Sequence, residues 1–152
     1  MSAELFSAIR AGDSGKVTAL IDGDPGLLDA KDESGLGPFT VAKYSRQDEI
    51  ASLLLQRGAR LDIFAACMAG VHPRVVELLA ADRGLVNSYS HDGWTPLQAV
   101  AQSGDVKLVR LLIANGADVK ARAENNQSAL DLAMTKGHQA VVELLEQHGA
   151  SQ

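Results

Sequence analysis

Chemistry in this chain would have to start from four histidines, one cysteine and a short glycine-rich stretch. The stretch Gly12-Asp13-Ser14-Gly15-Lys16-Val17-Thr18 distantly resembles a phosphate-cradling loop. Such a loop needs four residues between its glycines and Ser or Thr directly after the Lys. Here two residues intervene and Val17 follows the Lys, so the stretch reads as a turn between helices. Ser90, His91 and Asp92 carry the residue types of a hydrolytic triad. Adjacent residues on a hairpin tip do not bring their side chains into mutual reach, and a triad is defined by geometry. His72, His91, His138 and His148 form no His-x-x-x-His pair and none pairs with the cysteine at ligand spacing, so no zinc site is expected. Glu143, Glu146 and His148 read as a solvated end face. Cys67 falls in an apolar run and reads as buried; a reactive thiolate needs exposure and nearby positive charge. These residues predict no catalytic group, no cofactor and no metal.

The elements that hold such residues follow from composition and period. The chain has 152 residues, 46% hydrophobic and 22% charged, which is a soluble globular composition and not a disordered one. Aromatics are only 4%, so the core must come from Leu, Val, Ile and Ala, which suits helices. The net charge of -5 leaves no basic footprint for nucleic acid. The longest apolar run, Ile63–Val71, has nine residues, far short of the roughly 20 that span a bilayer. The first ten residues carry an early Glu and no long apolar core, so no leader peptide is expected. With one cysteine and no span, the expected location is cytoplasmic.

Sliding the sequence until Phe6 lies over Phe64, an offset of 58, also pairs Gly12 with Gly70, Val17 with Val75, Gly35 with Gly93, Pro38 with Pro96 and Gly58-Ala59 with Gly116-Ala117. Residues 3–61 and 61–119 share 16 identities in 59 pairs, too many for chance, so the period is real. A second offset of 33 links Leu97 to Leu130, Gly104 to Gly137 and Leu111-Leu112 to Leu144-Leu145. Five units result, near 3–30, 31–61, 62–88, 89–121 and 122–152, read together as a single domain over 1–152. Each unit predicts two short helices. In the fourth, Pro96 opens a helix that Gly104 closes, and Leu108, Val109, Leu111 and Leu112 form the apolar face of a second helix from about Val106 to Asn115. Such a face is buried only by stacking on neighbours. The turns Gly12–Val17 and Gly70–Val75 read as one residue longer than the others.

The text Gly-Trp-Thr-Pro-Leu-Gln-Ala-Val-Ala-Gln-Ser-Gly at 93–104 resembles an ankyrin repeat, with period 33 and signature Thr-Pro-Leu-His. Ser128–Ala150 is a second, weaker copy. Gln98 replaces the signature His, Gly37-Pro38-Phe39 replaces Thr-Pro-Leu, and the first unit lacks the signature, as a capping unit does. The resemblance implies a short, stand-alone array of the bacterial type with about five repeats: an all-α solenoid of helix pairs joined by β-hairpin fingers at about 28–37, 86–95 and 119–128. The step from Pro38 to its counterpart Asp62 is 24, nine short of 33, so no finger is expected between Gly58 and Asp62. Phe6, Phe39 and Phe64 read as core, with Phe6 and Phe64 at the position of the signature His.

The resemblance further implies a non-catalytic module that binds a partner protein, as a monomer, through finger tips and the exposed ends of the first helices. A self-assembling scaffold is the alternative, and a hydrolase a more distant one. The residues at those positions are Tyr89, His91, Asp92, Trp94, Gln102, Ser103, Arg122, Glu124, Asn125, Gln127, Thr135 and Lys136. Glu33, Ser34, Leu36, Tyr44 and Ser45 extend the surface. Trp94 is the expected anchor, because large aromatics dominate binding hot spots.

Overall fold

A computed structural model describes residues 2–90 and 93–149. Among the described residues the fold is all-α, 66% helical, with ten α-helices. They are α1 (Ser2–Ala11), α2 (Ser14–Gly23), α3 (Pro38–Tyr44), α4 (Asp48–Gln56), α5 (Ile63–Ala69), α6 (His72–Ala81), α7 (Pro96–Ser103), α8 (Val106–Ala114), α9 (Ala129–Lys136) and α10 (Gln139–Gln147). Two 3₁₀ helices, Pro25–Asp29 and Arg83–Asn87, follow α2 and α6. Among the described residues, strand geometry is limited to one bridge, between Arg122 and Ser128.

The chain divides into two compact units, residues 1–61 and 62–152. In the first, α1 pairs with α2 and α3 with α4, while α1 stacks on α3 and α2 on α4. In the second, the pairs are α5–α6, α7–α8 and α9–α10. Its first helices stack α5 on α7 on α9, and α8 stacks on α10. Leu5, Ile9, Val17, Ile50 and Leu54 fill the first unit's core. Val75, Leu97, Leu108, Leu112, Leu130 and Leu145 fill the second's.

The sequence periods reappear as element bounds. Helices α2 and α6, the two 3₁₀ helices, and α4 and α8 keep the longer offset of 58 at both ends. The pairs α7/α9 and α8/α10 are each offset by 33. The 3₁₀ helices were not foreseen, although their signal is in the text: Asp24-Pro25-Gly26-Leu27 and Asp82-Arg83-Gly84-Leu85. In each, the Asp carboxylate accepts a hydrogen bond from the Gly N–H two residues on, which caps the turn.

Three details correct the sequence reading. The turns in the first and third pairs are no longer than those in the fourth and fifth: a Gly and one cap residue join the helices in all four. The extra residue lies inside α2 and α6, which have ten residues where α4, α8 and α10 have nine. Second, Asp62 caps α5, its carboxylate accepting from Ala65 N–H as Thr95 does from Gln98 and Ser128 from Asp131. Asp62 is therefore the counterpart of Gly37, not of Pro38. The steps between the cap positions Gly37, Asp62, Thr95 and Ser128 are 25, 33 and 33, so the deficit is eight. Residues 59–62 run directly into α5 with no hairpin turn. Third, α5 is one residue shorter than α7 and α9, so counting from the caps puts Ala65 at the signature-His position, whereas counting back six residues from Gly70, as Gln98 stands before Gly104, puts Phe64 there. Phe64 falls on the first turn of α5 and is only half-buried, whereas Phe6 and Phe39 are buried.

Candidate partner-binding surface

The three expected fingers are tight turns of one design. The first residue of each donates its N–H to the carbonyl four residues on and accepts from the N–H three residues on. The pairs are Asp32–Leu36 with Gly35, Ser90–Trp94 with Gly93, and Ala123–Gln127 with Asn126. The third of these bonding partners has positive φ in every finger: 81° at Gly35, 78° at Gly93 and 67° at Asn126. That is a three-residue hairpin loop closed by a left-handed residue. Asn tolerates this conformation better than other non-glycine residues, which is why the third finger manages without Gly.

In the first unit, Asp32 organises the finger. Its side chain is 3% exposed and accepts hydrogen bonds from Ser34 and Leu36 N–H at 2.9 Å each and from Arg10 Nη2 at 2.8 Å. Glu33 lies 3.7 Å from the same guanidinium. Glu33 and Ser34 are exposed at the tip and Leu36 is half-buried. A cleft of about 300 Å³ opens between α1 and this finger, lined by Phe6, Arg10, Lys31 and Glu33 among others. Tyr44 ends α3 and is 50% exposed; Ser45 beside it is half-buried.

In the second unit the second and third fingers touch. A Cβ added to Gly93 would sit 2.5 Å from Glu124 Cγ, so only glycine admits this approach. Tyr89 is 58% exposed and Trp94 half-buried. His91 and Asp92 lie outside the described residues. Trp94, Leu36 and Gln127 hold the same place in their fingers and all three are half-buried. Arg122 donates to Asn126 O at 2.8 Å and pairs with Asp131 at 3.3 Å, while Asn125 and Gln127 bond each other at 2.8 Å. At the helix ends, Gln102 is half-buried, its carbonyl accepting from His138 Nε2 at 2.9 Å. Ser103, Glu124, Asn125, Thr135 and Lys136 are exposed. The sequence reading missed Met134, 46% exposed on the same helix end; its counterpart Ala101 is buried on α7, on which α9 packs.

Gln98 ties this surface together. It is fully buried; its Oε1 accepts from Thr95 N–H at 2.9 Å, and its Nε2 donates to Ala121 O at 2.9 Å and Gln127 O at 3.3 Å. One side chain therefore caps α7 and holds both sides of the third finger. The hydrogen-bonding residue of the Thr-Pro-Leu-x signature sits where it must reach forward to the next unit.

A family model for ankyrin repeats matches residues 63–152 in three copies. The chain belongs to the ankyrin-repeat family. It is 41% identical over 88 residues to the ankyrin repeat and KH domain-containing protein mask of Drosophila melanogaster, covering 57% of this chain and 2% of that protein. It is 31% identical over 121 residues to a putative ankyrin repeat-containing protein of Treponema pallidum, covering 80% and 33%. It is 29% identical over 148 residues to the putative ankyrin repeat protein YahD of Escherichia coli strain K12, covering 88% and 73%. The chain thus spans a third or less of the first two relatives. Ankyrin repeats are in general non-catalytic protein–protein interaction modules. Among the described residues no helix is long and apolar enough to cross a membrane.

Proposed function

We propose that this ankyrin-repeat protein is a non-catalytic module that grips a partner protein with its finger tips and first-helix ends. The observation that carries the reading is the pairing of rigid turns with exposed tyrosines: Tyr89 stands 58% exposed at the base of a finger fixed by backbone hydrogen bonds. A preordered surface loses little conformational entropy on association. In the second unit the contact residues are Tyr89, Trp94, Gln102, Ser103, Arg122, Glu124, Asn125, Gln127, Thr135 and Lys136, together with His91 and Asp92, which lie outside the described residues. In the first unit they are Glu33, Ser34, Leu36, Tyr44 and Ser45. On this reading residues 1–152 act as one domain, a cytoplasmic monomer, and the net charge of -5 favours a partner with a basic patch.

The test is retention of the partner by wild type and by Trp94→Ala and Tyr89→Ala variants, read with their thermal melts. Loss of an anchor removes about 2 kcal/mol or more of binding, roughly a thirtyfold weakening, with the melting temperature held. If Trp94→Ala leaves affinity unchanged and lowers the melting temperature by several degrees, Trp94 is a packing residue and the anchor assignment fails.

A further inference from the structure

The C-terminal ends of second helices α4, α8 and α10 share a pattern: a cap residue followed by a left-handed glycine, as Arg57-Gly58, Asn115-Gly116 and His148-Gly149, with glycine φ of 86°, 92° and 93°. Only the middle pair carries a side-chain amide next to glycine, and it is the only Asn-Gly step in the sequence. That step has a chemistry of its own. The Gly116 main-chain nitrogen can attack the Asn115 side-chain carbonyl carbon, form a five-membered succinimide and expel ammonia. Water then opens the ring at either carbonyl, leaving aspartate or isoaspartate. Water enters, ammonia leaves, and no other reagent is needed. Glycine makes the attack accessible because no Cβ shields its nitrogen.

In the folded chain this peptide is held on every side. Gly116 N–H, the nucleophile, donates to Ile113 O at 3.0 Å. Asn115 O accepts from Arg83 Nε at 3.2 Å, and Asn115 Nδ2 donates to Leu111 O at 2.8 Å. Asn87 grips the residues just beyond: its Nδ2 donates to Gly116 O at 3.0 Å and its Oδ1 accepts from Asp118 N–H at 2.8 Å. The nitrogen reaches the amide carbon only if the backbone at Asn115 rotates, which breaks these bonds. Gly116 is meanwhile exposed, with open space where a Cβ would stand, so water for ring opening is at hand.

We propose that Asn115-Gly116 is a self-modifying site, closed by the 3₁₀ helix Arg83–Asn87 and opened when that helix lets go of the end of α8. Either product puts a carboxylate at the C-terminus of α8, where the helix dipole disfavours negative charge, and isoaspartate also lengthens the main chain by one carbon. Opening would then leave a permanent chemical record at the contact between the third and fourth helix pairs. The test follows isoaspartate at residue 115 by peptide mapping of the full chain at mildly alkaline pH. Arms are native protein, protein in urea, Asn87→Ala, and Asn115→Gln as the blank. The native rate is expected at least about tenfold below the unfolded rate, the protection a locally closed peptide shows. Asn87→Ala should fall between them with its helical signal intact. Should that variant lose helix, Arg83→Ala is read in its place. A native rate equal to the unfolded one overturns the closure, and a clamp variant as slow as native overturns the role of the 3₁₀ helix.

Discussion

Cys67 and Asp105 show how packing sets the chemistry of single residues in the second unit. Burial, then the negative charges of Asp62 and Asp105, push the Cys67 thiol up to about 12, so at neutral pH it is a small core side chain, as its place in an apolar run suggested. Burial also pulls the Asp105 carboxyl upward. The hydrogen bond from His72 at 2.8 Å, the N–H of Leu108, the His72 charge and the N–H of Lys107 outweigh it and hold the carboxyl below its ordinary 3.8. A folded-state value below the unfolded one stabilises above 3.8 and is lost as pH falls through the lowered value. The Asp105→Asn variant, which keeps the helix cap, should therefore show a smaller drop in urea midpoint between pH 7 and pH 3 than wild type; an equal drop would assign the acid sensitivity elsewhere. Arg46 is the residue the sequence left unread. It sits at φ 58°, where the other pairs place Gly12, Gly70, Gly104 and Gly137. A left-handed L-residue is strained by roughly 1–2 kcal/mol, and glycine gives back part of that in unfolded-state entropy. Arg46→Gly should stabilise by about 0.5–1 kcal/mol in a denaturant melt, and a destabilised variant would mean that the Arg46 side chain contributes more than its backbone costs.

At the scale of elements, helix limits were legible because they are marked by small, local devices. Pro96 and Gly104 bound α7, and the structure places its ends at Pro96 and Ser103. The register of α5 was not legible, because Asp62 could be matched either to the cap or to the residue after it, and only the Ala65 N–H bond decides. The finger surface was legible as positions but not as degrees of exposure: Trp94 and Leu36 have the same half-buried setting despite very different side chains. The link from α7 to the third finger rests on Gln98, which the sequence marked only as a departure from a pattern. Gln98→Leu would orphan Thr95 N–H and the Ala121 carbonyl, each desolvation costing roughly 1–3 kcal/mol, and would leave the Gln127 carbonyl with only its bond from Ala123 N–H. Gln98→His restores a ring donor at the signature position and should lose clearly less stability. Equal losses in the two variants, read by thermal unfolding, would show that the forward hydrogen bonds are not what holds the finger.

At the scale of the whole chain, the division into residues 1–61 and 62–152 has a thermodynamic counterpart. The second unit has three helix pairs with a stacked middle pair, the first only two. Repeat pairs cannot bury their faces alone, and about three are needed for independent stability. A fragment of residues 62–152 should unfold cooperatively in urea with a native-like helical signal, while residues 1–61 alone should show little helix. A 1–61 fragment with its own cooperative transition would refute this. The helix count was readable from the period, because every unit must repeat the same packing solution, and the family from the resemblance of residues 93–104 to the Thr-Pro-Leu signature. The partner was not, because the residues that meet it are the ones packing leaves free to vary.

The common phase of α2 with α6, of α4 with α8 and of the two 3₁₀ helices carries a consequence for how such a gene changes. Misaligned recombination between the copied stretches adds or removes one whole block at a stroke. A crossover that joined Gly37 to Pro96 would keep every helix in phase, since Pro38 and Pro96 open α3 and α7 alike. A block of 33 keeps the phase of α7 with α9 and of α8 with α10 in the same way, whereas a length change inside a helix shifts its apolar face toward water. Selection on this chain therefore sees whole blocks as readily as single substitutions, and the deficit of eight before Asp62 marks a change of length made where no finger had to be kept in register.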